Sequence, residues 1–201
     1  MSDFIKQQQP LILASGSSIR FKLLQTLGLE FTVVPSHCDE DAIKASRADA
    51  TVLTLGQQLA AAKALAVSAD YPQHFIIAAD QLCVINELIL DKPGDHATAI
   101  KHLQLLRGQT HQQISCVCIA YQNNIVWQHH DSAYLTMRNL SDHSIEQYLK
   151  LDQPYNSCGA YQYETAGKWL FQKVQGNEDT ILGLPLQSLS NALLDLNVLS
   201  I

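Results

Sequence analysis

Residues 15–20, Ser-Gly-Ser-Ser-Ile-Arg, bring together what an anion needs: hydroxyls, a glycine that lets backbone amides come close, and a cation. Ser17 or Ser18 can cap a helix here, and Arg20 in its first turn opposes the positive end of the helix dipole unless an anion lies nearby. The loop by itself fits either a phosphate cradle or an ordinary capped helix with a surface Arg. Its spacing is neither Gly-x-x-x-x-Gly-Lys nor Gly-x-Gly-x-x-Gly, so it is not a P-loop or a dinucleotide fingerprint. Further residues suited to phosphate chemistry follow along the chain. Asp39, Glu40 and Asp41 are either a solvated loop or carboxylates that face the cradle through a metal ion. Lys63 either snorkels over a core edge or points along a helix flank into a cleft. Asp80 ends an apolar run, where a carboxylate is a catalytic candidate rather than a solubility device, and Lys92 follows Asp91.

The elements that must position these groups can be read from the apolar pattern. Residues 11–14 form a short strand, and Phe21, Leu23, Leu24 and Leu27 recur at helical spacing until Gly28. A second strand at 31–35 completes a strand-helix-strand opening, which indicates α/β architecture. Residues 51–67 read as a helix with Leu55, Leu59, Ala62 and Ala66 as its stripe and Lys63 beside it. Residues 75–79 form a buried strand ending at Asp80, and ligands of α/β sheets collect at the carboxyl ends of strands. A hairpin, 82–85 and 88–90 about Asn86-Glu87, returns Asp91 and Lys92 to the level of Asp80. Beyond it come a helix at 95–106, long strands at 114–121 and 125–137 around residues 122–124, and a helix from Ser141 to about residue 151. An irregular loop at 159–168 carries Tyr161, Tyr163 and Glu164, a strand spans 169–174, and a last helix starts at residues 183–186.

With 201 residues, 47% of them hydrophobic, and no low-complexity linker, the expectation is one domain over residues 1–201. A net charge of -6 without a Lys/Arg run argues against nucleic acid or an anionic membrane as partner. Residues 1–10 hold no apolar core of signal-peptide length, and no apolar run reaches about 18 residues, so a cytoplasmic, unexported protein is expected. Five cysteines, an odd number without Cys-x-x-Cys, read as reduced thiols; eight histidines without His-x-x-x-His spacing do not suggest zinc.

Taken in order, these stretches resemble the Maf family of nucleoside triphosphate pyrophosphatases over nearly the whole chain. The matching residues are Leu13-Ala14-Ser15-Gly16-Ser17 with Arg20, Asp39-Glu40, Leu59-Ala60 with Lys63-Ala64, and Ala79-Asp80. They continue with Asp91-Lys92-Pro93, Leu106-Arg107-Gly108 with His111, and Gly183-Leu184-Pro185-Leu186. The resemblance implies an elongated α/β fold like that of inosine triphosphate pyrophosphatase, a mixed sheet with flanking helices and two lobes around a deep cleft. It implies hydrolysis of a nucleoside triphosphate to the monophosphate and pyrophosphate with a divalent cation, Mg²⁺ before Mn²⁺. It also implies roles: Ser15, Ser17, Arg20, Lys63 and Lys92 on the triphosphate, Glu40 and Asp80 at the metal, and Asp80 as proton acceptor. A homodimer is left open, and a nucleotide-sensing regulator of growth or division without turnover is the alternative.

The sequence departs from the family pattern where the base is read. Ser17-Ser18-Ile19-Arg20 stands where the family has Ser-Pro-Arg-Arg or Ser-Pro-Trp-Arg, Gln81 replaces a frequent Thr, and residues 112–116 lack another Thr. No charged catalytic group is lost. At the position of Glu164, the family has Gln in members resembling pyrimidine-nucleotide enzymes and Glu in those resembling 7-methyl-GTP enzymes. A carboxylate can accept the two adjacent donors of guanine, N1–H and the exocyclic amine, but opposes a pyrimidine carbonyl. Glu164 with Gln81 therefore implies a guanine-type base over thymine, whereas Ile19 in place of the family's Trp removes a stacking surface for a methylated, cationic ring, a place that Tyr161 or Tyr163 could take.

Overall fold

The apolar triplet Leu11–Leu13 is fully buried, as a strand inside a parallel sheet must be. The computed structural model describes residues 4–45 and 51–201, so residues 1–3 of the N-terminal stretch read above lie outside the described residues. After the short β1 (Lys6–Gln7), the triplet forms β2 and leads into α1 (Ser18–Gln25). Of the two candidate caps Ser17 is the one used: its side chain accepts from Arg20 N at 3.4 Å. Only Leu24 of α1 is buried, so the expected stripe is narrower than its spacing suggests, and Phe21 instead meets Phe31 at the surface. Gly28, at φ +69°, turns the chain into β3 (Phe31–Val33), which lies parallel to β2 with Leu13 opposite Val33. The strand ends at Val33, two residues short of the expected residue 35, although Val34 N still donates to the Leu13 carbonyl at 3.1 Å.

The acidic run is not a loop. Asp39 accepts from Ala42 N at 2.9 Å and starts α2 (Glu40–Ala45), with Glu40 and Asp41 in the first turn where the helix dipole favours them. This helix has no buried residue, so no apolar stripe announces it. Thr51 caps α3 (Val52–Ser68), whose buried face is Leu55, Gly56, Leu59, Ala60, Lys63, Ala64 and Val67. The stripe is thus rotated from the expected one: Lys63 belongs to it, at four-residue spacing from Leu59 and Val67, while Ala66 is exposed.

The expected end of a strand at Asp80 is also corrected, because β4 (Phe75–Ile85) runs straight through it. What changes there is the partner. Leu11 and Leu13 of β2 pair in parallel with Phe75 and Ile77, whereas Cys83 to Ile85 pair antiparallel with β5 (Leu88–Leu90). The hairpin turn is as expected, with Asn86 and Glu87 both at positive φ, 48° and 66°.

Asp95 caps α4 (His96–Leu106). The next two strands, β6 (Thr110–Tyr121) and β7 (Asn124–Met137), are longer than expected and joined by only Gln122 and Asn123. Ser141 caps α5 (Asp142–Asp152) as read. The irregular stretch contains two 3-10 turns, Cys158–Ala160 and Ala166–Leu170, and the second takes Trp169 and Leu170 out of the expected strand, now β8 (Phe171–Gln175). A short α6 (Glu178–Ile181) precedes α7 (Leu186–Asp195), and β9 (Leu199–Ser200) pairs antiparallel with β1.

The main sheet has the order β3-β2-β4-β6-β7-β8, with β5 on β4, and it is mixed, so the fold is α/β. The described chain divides into two compact units. One comprises the described part of Met1–Asp80 with Ser115–Asp131 and Gly183–Ile201, around Leu11, Leu13, Leu24, Phe75, Ile77, Val117 and Leu189. The other comprises Gln81–Ile114 and Ser132–Leu182, around Leu103, Leu106, Leu135, Met137, Leu149 and Phe171. None of the five cysteines is in a disulfide, and no helix among the described residues is long and apolar enough to cross a membrane.

Candidate functional site

Strand period two decides where Asp80 points. Phe75, Ile77 and Ala79 face the core of the first unit, so Ile76, Ala78 and Asp80 face the other way, toward the buried stripe of α3. There Lys63 Nζ donates to Asp80 Oδ1 at 2.6 Å, with only 11% and 9% of the two side chains exposed. Glu40, 43% exposed at the start of α2, reaches the same ammonium at 3.1 Å. Asp39 is not part of this group, since its carboxylate caps α2. The structure therefore brings together Glu40, Lys63 and Asp80, and it selects Glu40 from the acidic run.

Among the described residues no three His, Cys, Asp or Glu side chains come together, so these two carboxylates are the donor set to test against a metal ion. They fit Mg²⁺, which binds oxygen and is held by one or two carboxylates while substrate phosphates and water fill its remaining positions. Nearby Cys116 is no nucleophile: burial, and after it the Asp80 charge, pushes its thiol up to about 12.

The residues read as an anion cradle come together within the same unit. Ser15 Oγ accepts from Ser17 N at 3.2 Å and from Arg20 Nη1 at 3.4 Å, which leaves its own hydrogen to donate. Arg20 Nε donates to the Gly183 carbonyl at 2.9 Å, so the guanidinium is held by the segment preceding α7. Sequence spacing gave no sign of that second anchor. Ile19 is half-buried in the first turn of α1. Strand register relates the cradle to Asp80. With Leu13 opposite Ile77 in parallel, residues 15–16 follow β2 at the level of Ala79 and Asp80, and Glu40 follows β3 on the other side of β2. These residues thus lie at the carboxyl ends of the parallel strands β2 and β3, although β4 itself continues.

Gln81, Lys92 and Glu164 belong to the second unit. The Gln81 amide donates to the Ile181 carbonyl at 2.5 Å, so one of its hydrogens is already used. Lys92 is exposed just beyond β5, and pairing of that strand stops at Leu90 opposite Cys83. Glu164 is exposed on the turn between the two 3-10 segments.

Tyr161 is not a stacking surface. It is 4% exposed, its ring packs on Phe171 at 4.9 Å, and burial holds its hydroxyl well above the usual range, so it stays protonated. That hydroxyl accepts from Gln113 Nε2 at 2.7 Å and meets His111 Nε2 at 2.7 Å. Its proton has His111 Nε2 as acceptor, which assigns the imidazole proton to Nδ1. Burial drives the His111 pKa down to about 4, keeping the ring neutral. His111 Nδ1 and Gln113 Oε1 are buried with no hydrogen-bond partner among the described residues, at a cost of about 1–3 kcal/mol each. Tyr163 is half-buried with Lys168 Nζ 5.2 Å from its ring centre. The one sequence signal for this network is the alternation of His111 and Gln113 on one face of a strand.

A family model described as Maf-like protein matches residues 10–196. A protein of Legionella pneumophila named nucleoside triphosphate pyrophosphatase is 55% identical over 201 residues, covering 100% of each chain. One of the same name from Pelagibacter ubique is 36% identical over 187 residues, 91% of this chain and 96% of the relative. A protein of Rhizobium etli named 7-methyl-GTP pyrophosphatase is 38% identical over 193 residues, 94% and 97% of the two chains.

Proposed function

Since the chain belongs to the Maf family, we propose that it hydrolyses a nucleoside triphosphate to the monophosphate and pyrophosphate, acting on modified or ordinary nucleotides with a guanine-type base. The observation that carries this reading is the buried Lys63–Asp80 pair with Glu40 on the same ammonium, at the level of the Ser15–Arg20 cradle. The name of the Rhizobium etli relative and the acceptor-only chemistry of Glu164 support the choice of base.

In this reading Ser15, Arg20 and the first-turn amides of α1 bind phosphate oxygens, and Ser17 fixes that turn by capping it. Lys63 and Lys92 add positive charge against the triphosphate, whose own charge repels an incoming oxygen. Asp80 orients a water toward the α-phosphorus and takes its proton. The water oxygen bonds to phosphorus as the bond to the bridging oxygen breaks, and pyrophosphate leaves with that electron pair. Glu40 and Asp80 would hold a divalent cation, Mg²⁺ before Mn²⁺, which would supply further charge neutralisation on the phosphates. Glu164, with Gln81 and Ile19, reads the base.

The test is release of pyrophosphate from GTP, 7-methyl-GTP, UTP and dTTP with Mg²⁺ present. Monophosphate and pyrophosphate in equal amounts, fastest from the guanine nucleotides, are expected. Tight binding without turnover would overturn the enzyme reading in favour of a nucleotide sensor.

A further inference from the structure

Glu164 is an exposed side chain on a loop whose first flank is fixed in the interior of the second unit and whose other flank is tied at its surface. Three residues before it, the Tyr161 hydroxyl is gripped by Gln113 and His111, two residues apart on one face of β6. Next to Tyr161, Gln162 N donates to the Tyr148 hydroxyl at 3.0 Å. On the far side, Thr165 Oγ1 lies 2.6 Å from Asp152 Oδ2 and 3.1 Å from the Gln162 carbonyl. Cys158 Sγ at the loop's start lies 3.7 Å from the Gln81 carbonyl, so the loop also touches the main chain of the other residue assigned to the base.

Packing alone does not ask for this network. A phenylalanine ring at 161 over apolar side chains at 111 and 113 would fill the same space, whereas the present set leaves two polar atoms buried without partners. What the network adds is position, because a hydroxyl with two fixed partners admits one placement of the loop where an apolar contact admits several. Position matters for a carboxylate that must accept two adjacent donors at once: a displacement of about 1 Å can cost on the order of 10²-fold.

We propose that His111, Gln113 and Tyr161 form a positioning set that holds the Glu164 loop and thereby sets discrimination between guanine-type and pyrimidine nucleotides. It rests on the reading of Glu164 as the residue that meets the base. None of the three touches substrate; they act through the loop.

Tyr161→Phe removes one oxygen and keeps the ring. The experiment measures kcat and KM for GTP, 7-methyl-GTP, UTP and dTTP in the wild type, Tyr161→Phe, Glu164→Gln and the double variant. Tyr161→Phe is expected to lower the guanine-to-pyrimidine ratio of kcat/KM by about 10-fold or more. The change should come through KM for the guanine nucleotides, with kcat within about twofold. In the Glu164→Gln background the same substitution should have no further effect. An equal effect in both backgrounds overturns the proposal, since Tyr161 would then act independently of Glu164. An unchanged ratio in Tyr161→Phe beside a changed one in Glu164→Gln also overturns it, while leaving the role of Glu164 standing. If neither variant moves the ratio, Glu164 does not read the base and the proposal falls with that reading. Should Tyr161→Phe fail to fold, Gln113→Met, which removes one donor to the same oxygen, is held to the same ratios.

Discussion

Lys63 and Asp80 meet at 2.6 Å in a place where both side chains are about nine-tenths buried, on facing surfaces of α3 and β4. Lys63 is the ion-pair partner of the Asp80 carboxylate, while Lys63 itself has a second, more exposed partner in Glu40 at 3.1 Å. Lys63→Met should therefore lower stability by about 3–5 kcal/mol by stranding a buried carboxylate. Lys63→Met with Asp80→Leu should recover most of that loss, since neither charge remains to be compensated. Urea unfolding of the single and double variants checks this, and equal instability of both would mean the pair contributes packing rather than charge balance.

Asp80→Asn separates catalysis from that balance. The amide keeps the volume and can still accept from Lys63, so nucleotide should bind while kcat falls by roughly 10² to 10⁴, as for loss of a general base. Single-turnover hydrolysis at the wild-type rate would remove Asp80 from the proton-transfer step.

The Arg20 guanidinium touches both Ser15 Oγ, in the proposed phosphate cradle, and the Gly183 carbonyl before α7. Sequence reading alone assigns it only to the triphosphate. Arg20→Ala should thus raise KM for the triphosphate well beyond 10-fold and also cost about 1.5–3 kcal/mol of stability in the absence of nucleotide, the scale of one hydrogen bond with a charged donor. Calorimetry without and with nucleotide distinguishes the two losses. A KM unchanged beside a lowered Tm would make Arg20 structural only.

The candidate site residues are legible as charges set against apolar pattern: Lys63 beside the stripe of a helix, Asp80 at the end of an apolar run, Arg20 at a helix start; the structure moves Lys63 into the buried face of α3 and Asp80 inside β4. The longer helices that bury a stripe are legible as well, with α3, α4 and α5 within a residue or two of their bounds, whereas the short α6 and β9 are not read although each buries a side chain. What else stayed hidden buries nothing or depends on distant partners. α2 has no buried residue, and the continuation of β4 past Asp80 follows from a change of neighbour, which local pattern does not record. The grip on Tyr161 joins residues 48 and 50 apart in sequence, so no spacing within one element could announce it.

Two glycines should respond in opposite ways. A Cβ at Gly167 would lie 2.0 Å from the Gln162 carbonyl oxygen, against backbone that cannot yield, whereas at Gly16 the nearest atom, Pro35 Cβ, is 4.0 Å away. Gly167→Ala should cost about 3 kcal/mol, or roughly 6–12 °C in Tm for a chain of this size. Gly16→Ala should leave Tm within about 2 °C and weaken phosphate binding instead, because the methyl group stands where an anion approaches the loop. Calorimetry with inorganic pyrophosphate as probe reads both effects, and a Tm loss in Gly16→Ala equal to that in Gly167→Ala would contradict the space argument.

His111 gives the fold a dependence on pH whose sign is fixed by burial. Its pKa falls from 6.5 to about 4 in the folded protein, so between those values the unfolded chain binds a proton that the native chain does not. The stabilisation is complete above about pH 6.5 and is lost as the pH falls toward 4, by about 3 kcal/mol in all. Half-buried His102 is shifted in the same direction, again by burial and against the opposing charge of Asp91, and carboxylates as a class titrate in this range, so the wild-type slope alone is not diagnostic. His111→Gln removes one titrating site while an amide can still accept from the Tyr161 hydroxyl. Urea unfolding at pH 7, 5.5 and 4.5 should show the wild type losing about 2 kcal/mol more than His111→Gln across that range. Parallel losses in the two proteins would mean that the imidazole takes up its proton without leaving the interior, and that the Tyr161 hydroxyl is not its obligatory partner.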